Sequence, residues 1–90
     1  MPLSEKDLGL AKSISDPRYR AIIDVLAKAR RDNGVSQTDL AHRLLRRQQF
    51  VYKYETGERR LDIVEFVDIA RVLKIDFISL LSDLKTDTQP

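Results

Sequence analysis

Cysteine is absent from the chain and histidine occurs once, as His42. Without cysteine there is no disulfide framework, no thiolate metal site and no thiol nucleophile, and one histidine cannot build a histidine-rich metal centre. No apolar run approaches the roughly 18 residues that cross a bilayer, and the opening MPLSEKDLGLAKS lacks the long apolar core of a signal peptide. A cytoplasmic protein without a membrane partner is the expectation. Also missing are a glycine-rich phosphate loop, a metal-ligand cluster, a nucleophile with an adjacent base and a carboxylate pair at workable spacing. Neither an enzyme nor a cofactor is therefore expected, and the scattered acids read as helix caps and solvated faces.

What is present suits one small folded domain. The 90 residues leave no room for a second core, and 42% apolar with 33% charged residues is well clear of a disordered composition. The net charge of +2 hides an asymmetry. Residues 1–27 carry four Lys/Arg against four Asp/Glu, residues 28–60 nine against four, and residues 61–90 three against six. A basic middle third is expected of a domain that turns one face to a polyanion, although small basic patches are also common on soluble proteins, and charge alone leaves both open.

Five helices and no strand are legible. Residues 1–15 are mixed and polar and read as a flexible or loosely helical arm. Asp16-Pro17 then opens a helix over about 17–32, since Asp is a favoured N-cap and Pro is tolerated at the first helical position; Gly34 stops it. Its apolar stripe is Ile22, Leu26 and Ala29, with Val25 beside them. Ser36 caps a short helix over about 37–44, with Asp39 at the positive end of its dipole. After Leu45-Arg46-Arg47, helical spacing resumes over about 48–55, closed by Thr56-Gly57. Asp62 and Glu65 start a helix over about 63–73 with Ile63, Phe66, Val67, Ala70 and Leu73 inward. Asp76 caps a last one over about 77–84, before a polar tail at 85–90. The division is thus an arm (1–15), one domain (16–84) and the tail.

Two short helices joined by a tight turn, inside the basic third, describe a helix-turn-helix. The stretch SQTDLAHRLLRRQQFVYKYETGERR resembles the lambda-repressor-like helix-turn-helix family, also called the Cro/C1 or Xre type. The likeness rests on Ser36-Gln37, Leu40-Ala41, the segment Gln48 to Tyr54 and Glu55-Thr56-Gly57, needs no gap between Gln37 and Gly57, and covers roughly residues 22 to 81. It implies a compact five-helix DNA-binding bundle whose second motif helix enters the major groove. By this resemblance Gln37 holds a phosphate, where the other reading is a solvated first-turn glutamine, and Gln48, Gln49 and Lys53 meet base edges with Tyr52 near the same face. By their charge, Arg46 and Arg47 in the turn and Arg59 and Arg60 after the motif either neutralise phosphates or are ordinary exposed arginines. Arg30 and Glu55 match positions that form a partly buried ion pair, while Ala41 lets the motif helices cross closely over Leu40, Leu44 and Val51. His42 falls on an exposed face.

Three positions depart from the family's pattern. Leu45 stands where glycine is frequent, so the turn uses either an ordinary backbone conformation or a strained one. Arg46 stands where an apolar residue is common. Phe50 stands where small polar residues are frequent, and either packs on the core or touches a thymine methyl.

The reading is a sequence-specific double-stranded DNA-binding transcriptional regulator of bacterial or phage type, a repressor acting as a homodimer on a palindromic operator. Phe77, Leu80, Leu81 and Leu84 form either its dimer surface or ordinary core. The alternative is an antitoxin-like module that keeps the fold but has a protein, such as a toxin, as its main partner.

Overall fold

The computed structural model describes residues 14–85, and side chains as far as residue 83. The expected arm, apart from Ile14 and Ser15, lies outside the described residues, as do the tail beyond Lys85 and the side chain of Leu84. Five α-helices follow in order: α1 Pro17–Asp32, α2 Gln37–Arg43, α3 Gln49–Thr56, α4 Ile63–Val72 and α5 Phe77–Lys85. Among the described residues there is no strand, so the all-α expectation holds, with helix ends moved by one residue at most.

Local chemistry sets the starts. Asp16 is extended at φ −62° and ψ 131°, its Oδ1 accepts the Arg18 backbone N–H at 2.8 Å, and Pro17 fills the first helical position, where its missing N–H is not needed. Ser36 Oγ accepts the Asp39 N–H at 3.0 Å to start α2. At α4 the exchange is reciprocal: Asp62 Oδ1 accepts from the Glu65 N–H at 2.7 Å, and Glu65 Oε1 accepts from the Asp62 N–H at 3.0 Å. Asp76 Oδ1 accepts from the N–H groups of Ile78 and Ser79. Gln48, before α3, is already helical at φ −52° and ψ −37° and gives no side-chain cap, which leaves the first N–H groups of α3 without one.

The stops are more uniform than the sequence suggests. Gly34 at φ 68° and Gly57 at φ 88° reverse the chain as expected of glycine. Leu45 at φ 57° and Lys74 at φ 58° do the same with a side chain in place. The Arg46 N–H reaches Ala41 O at 2.9 Å and the Leu45 N–H reaches His42 O at 3.0 Å, the paired bonds of a Schellman stop; Ile75 and Lys74 repeat them at the end of α4. The helix-turn-helix turn is therefore built in the strained conformation, not the ordinary one. Leu45 is 92% exposed, so its side chain brings almost no burial to offset the left-handed backbone. Leu45→Gly is expected to stabilise the domain by about 1 kcal/mol, raising the melting temperature by roughly 4–8 °C; an unchanged or lower melting temperature would contradict the strain argument.

α2 packs across α3, and α3 rests on α1. The core between them is Ile23, Leu26, Val35, Leu40, Ala41, Phe50, Val51, Tyr54, Phe66, Ile69 and Leu73, closed from below by α4 and flanked by half-buried Phe77 and Leu80 of α5. Ala41 is 1% exposed, a small side chain where α2 meets α3. Two inward faces differ from expectation. On α1 the buried set is Ile23, Leu26, Ala27 and Arg30; Ile22 and Ala29 are only half-buried and Val25 is 40% exposed. The stripe is rotated because its fourth position is a charged residue, which an apolar periodicity cannot count. On α4, Ile63 is 69% exposed in the first turn and Val67 half-buried, while Ile69 is fully buried with Phe66, Ala70 and Leu73.

Candidate nucleic-acid interface

α3 divides into two faces by the 3.6-residue period. Phe50, Val51 and Tyr54 are buried. Gln48, Gln49, Tyr52 and Lys53 are exposed, so the structure puts all four expected base readers on one outward surface. The remaining choice at Phe50 is resolved by packing: it is 6% exposed, its ring stands edge-on to Tyr54 with centroids 5.5 Å apart, and it belongs to the core rather than to a groove-facing surface. Tyr54, which the sequence did not single out, is fully buried, and desolvation pushes its phenol above the usual tyrosine range.

The inner side of α3 is tied down by charge. Arg30 Nε donates to Glu55 Oε2 at 2.7 Å and Nη2 to Oε1 at 3.1 Å, while Nη1 donates to the Val35 carbonyl at 2.8 Å. Gln37 Nε2 donates to the same Glu55 Oε1 at 2.8 Å, and Arg20 Nη2 to the Glu55 backbone carbonyl at 3.2 Å. The side chains of Arg30 and Glu55 are only 10% and 9% exposed. One carboxylate at the C-terminal end of α3 thus joins α1 to the first residue of α2, and the same Arg30 guanidinium reaches on to the loop at Val35. Gln37 is consequently not a free first-turn side chain: one of its two amide N–H donors is committed to Glu55, and the other remains.

Of the four arginines, Arg46, Arg47 and Arg60 are exposed and Arg59 is half-buried. Arg46 and Arg59 converge on Glu65 of α4: Arg46 Nη1 donates to Oε2 at 2.7 Å, and Arg59 Nη1 and Nη2 donate to Oε1 and Oε2, both at 2.8 Å. Their guanidinium carbons also lie over the Phe50 ring, 4.0 Å and 5.1 Å from its centroid. This accounts for a charged side chain at position 46, because its charge is met by Glu65 and its flat group covers an aromatic ring. The Arg59 guanidinium, above all, holds the Glu65 carboxyl at about 2, against the opposing effect of burial and with help from the Asp62 N–H and Arg46. Glu65 was legible as a helix-cap partner only; nothing in a linear spacing of 19 and 6 residues announces that both arginines return to it.

His42 is exposed, and among the described residues no cluster of three or more His, Cys, Asp or Glu side chains is arranged to hold a metal ion. Among the same residues no helix is long and apolar enough to cross a membrane.

Comparison with known proteins agrees with this geometry. A helix-turn-helix family model matches residues 26–80. Among solved structures, an XRE-family like protein from Pseudomonas syringae pv. tomato str. DC3000 superposes with a TM-score of 0.77 at 44% sequence identity, over 90% of this chain and 99% of that one. Comparison with the curated proteins finds no match. With the family model spanning well over half of the chain and the helix-turn-helix geometry in place, the protein belongs to the Cro/C1-type (Xre) helix-turn-helix family of DNA-binding regulators.

Proposed function

We propose that this protein is a sequence-specific regulator of transcription that binds double-stranded DNA as a homodimer and represses by occupying a palindromic operator. The observation that carries the reading is the outward surface of α3, where Gln48, Gln49, Tyr52 and Lys53 stand together on a helix whose opposite side is locked into the core. Glutamine offers adenine a donor and an acceptor at the N6 and N7 edge, and lysine donates to guanine O6 and N7. Arg47, Arg60 and the remaining N–H of Gln37 flank that surface as backbone contacts, which position the protein on the duplex without reading sequence. A regulator of this kind works in the cytoplasm, at the nucleoid.

For the dimer, α5 supports a surface composed differently from the sequence expectation. Phe77 is turned inward, edge-on to Phe66 with centroids 6.0 Å apart, and Leu80 is half-buried, whereas Ile78 and Leu81 are exposed. Two half-sites about one helical turn apart, roughly 34 Å, follow from a two-fold dimer.

The test is affinity for a selected operator duplex. Gln49→Ala and Lys53→Ala are each expected to weaken it by about 1–3 kcal/mol, roughly 5- to 150-fold, if each forms a bidentate base contact. Both side chains are exposed, so the melting temperature is expected to stay within a few degrees of the parent. Operator affinity unchanged in both variants would remove α3 from the reading surface.

A further inference from the structure

Glu65 belongs to α4, outside the helix-turn-helix, yet four N–H donors from three places in the chain meet on its carboxylate. Two come from Arg59 at 2.8 Å, one from Arg46 at 2.7 Å and one from the Asp62 backbone at 3.0 Å. An ionised carboxylate has about four lone-pair sites, so the acceptor is saturated. Arg46 sits in the turn before α3 and Arg59 in the loop after it, and both lie over Phe50, in the first turn of that helix. Glu65 is 8% exposed, whereas the two arginine side chains remain 38% exposed.

A carboxylate presents to guanidinium the same pair of oxygens that a phosphate does; Arg59 is held by both oxygens of Glu65 and Arg46 by one, so each guanidinium is fixed in place and the Glu65 charge offsets part of the pull that the pair would exert on a phosphate. Arg47, adjacent to Arg46, is exposed, and among the described residues no carboxylate pairs with it. Arg46 and Arg47, neighbours that look equivalent in the sequence, are therefore two different chemistries.

We propose that Glu65 is a positioning residue of the DNA-binding surface, an internal counter-ion standing where a phosphate would. It withholds Arg46 and Arg59 from the DNA backbone and fixes them on Phe50, so that they orient α3 rather than add sequence-independent affinity. The effect is a larger ratio of operator to random-DNA binding, because the non-specific term depends on how many phosphates are neutralised. The inference rests on the DNA-binding reading above.

The full-length protein and a random-sequence duplex test it, by the slope of log affinity against log salt between about 50 and 200 mM, in which each phosphate contact contributes about 0.9. Glu65→Gln keeps the shape and the acceptor for Asp62 but removes the charge; it is expected to steepen the slope by about 1–2 and to reduce the operator-to-random ratio. Arg46→Gln, which leaves the Arg59–Glu65 pair intact, is expected to leave the slope on random duplex as it was, while Arg47→Gln flattens it by about 1. An unchanged slope in a folded Glu65→Gln protein overturns the proposal. So does an Arg46→Gln loss equal to that of Arg47→Gln, and this comparison decides the matter should Glu65→Gln not fold. A parent protein that does not bind duplex DNA even at about 50 mM salt refutes the DNA-binding reading itself, and this inference with it.

Discussion

Arg30→Met is expected to lower the unfolding free energy by about 3–5 kcal/mol, a large part of the 5–15 kcal/mol that holds a small domain together. The reason is not the worth of the Arg30–Glu55 attraction. Removing the guanidinium strands the Glu55 carboxylate at 9% side-chain exposure with Gln37 as its remaining side-chain donor, and it also takes the partner at 2.8 Å from the Val35 carbonyl. Arg30→Met combined with Glu55→Leu is expected to recover much of the loss, since neither charge is then left buried and alone. Denaturant melts of the single and double variants measure the coupling. A loss under about 1 kcal/mol in the single variant would mean that Glu55 reaches water readily and that α3 is not anchored through it.

Acid is expected to weaken the domain in a particular window. The Glu65 carboxyl stands at about 2 in the folded protein against an ordinary value of 4.5, so its ionised form is favoured by folding. A group lowered in this way contributes its stability in full above the unfolded value and loses it as pH falls from about 4.5 to about 2. The contribution is at most about 3 kcal/mol, because the two arginine side chains that hold the carboxylate are 38% exposed and water screens them. Asp16, lowered to about 2 mainly by the Arg18 side chain, moves in the same direction, but that pair lies at the surface, with Arg18 61% exposed, and is screened. Denaturation midpoints measured from pH 5.5 to pH 2.5 are therefore expected to fall, and to fall less in Glu65→Gln than in the parent. An equal fall in the two proteins would assign the acid sensitivity to other carboxylates.

Both expectations rest on charges that the sequence displayed without showing how they pair. Helix starts were legible because an N-cap is a local event: Asp16 beside Pro17, Ser36, the Asp62 and Glu65 exchange, and Asp76 each act within three residues of themselves. The outward surface of α3 was legible in part, from the family likeness and from Lys53 lying one helical turn beyond Gln49; the inner side that fixes it was not, since in the sequence Phe50 stands open between core and groove and Tyr54 goes unmarked, and both are buried. The phase of α1 was not, since Arg30 takes a buried position that hydrophobicity assigns to solvent. The turn at Leu45 posed a choice that only the backbone answers: a residue with a side chain adopts φ 57° there because the paired Schellman bonds outweigh the local cost. Glu65 was the largest omission. Its role arises from three segments meeting, residue 46 in one turn, residue 59 in another and Phe50 between them in the chain, and no one segment carries a trace of it.

That the molecule reads DNA sequence through α3 is tested most directly by incubating the purified protein with a pool of genomic DNA fragments at about 0.15 M salt and sequencing what it retains. The expected result is recovery of a palindromic site with half-site centres about 10 base pairs apart, lost on Gln49→Ala with the fold intact. Retention of fragments without a common sequence, or of none, would contradict the account and leave the helix-turn-helix as a scaffold for a protein partner.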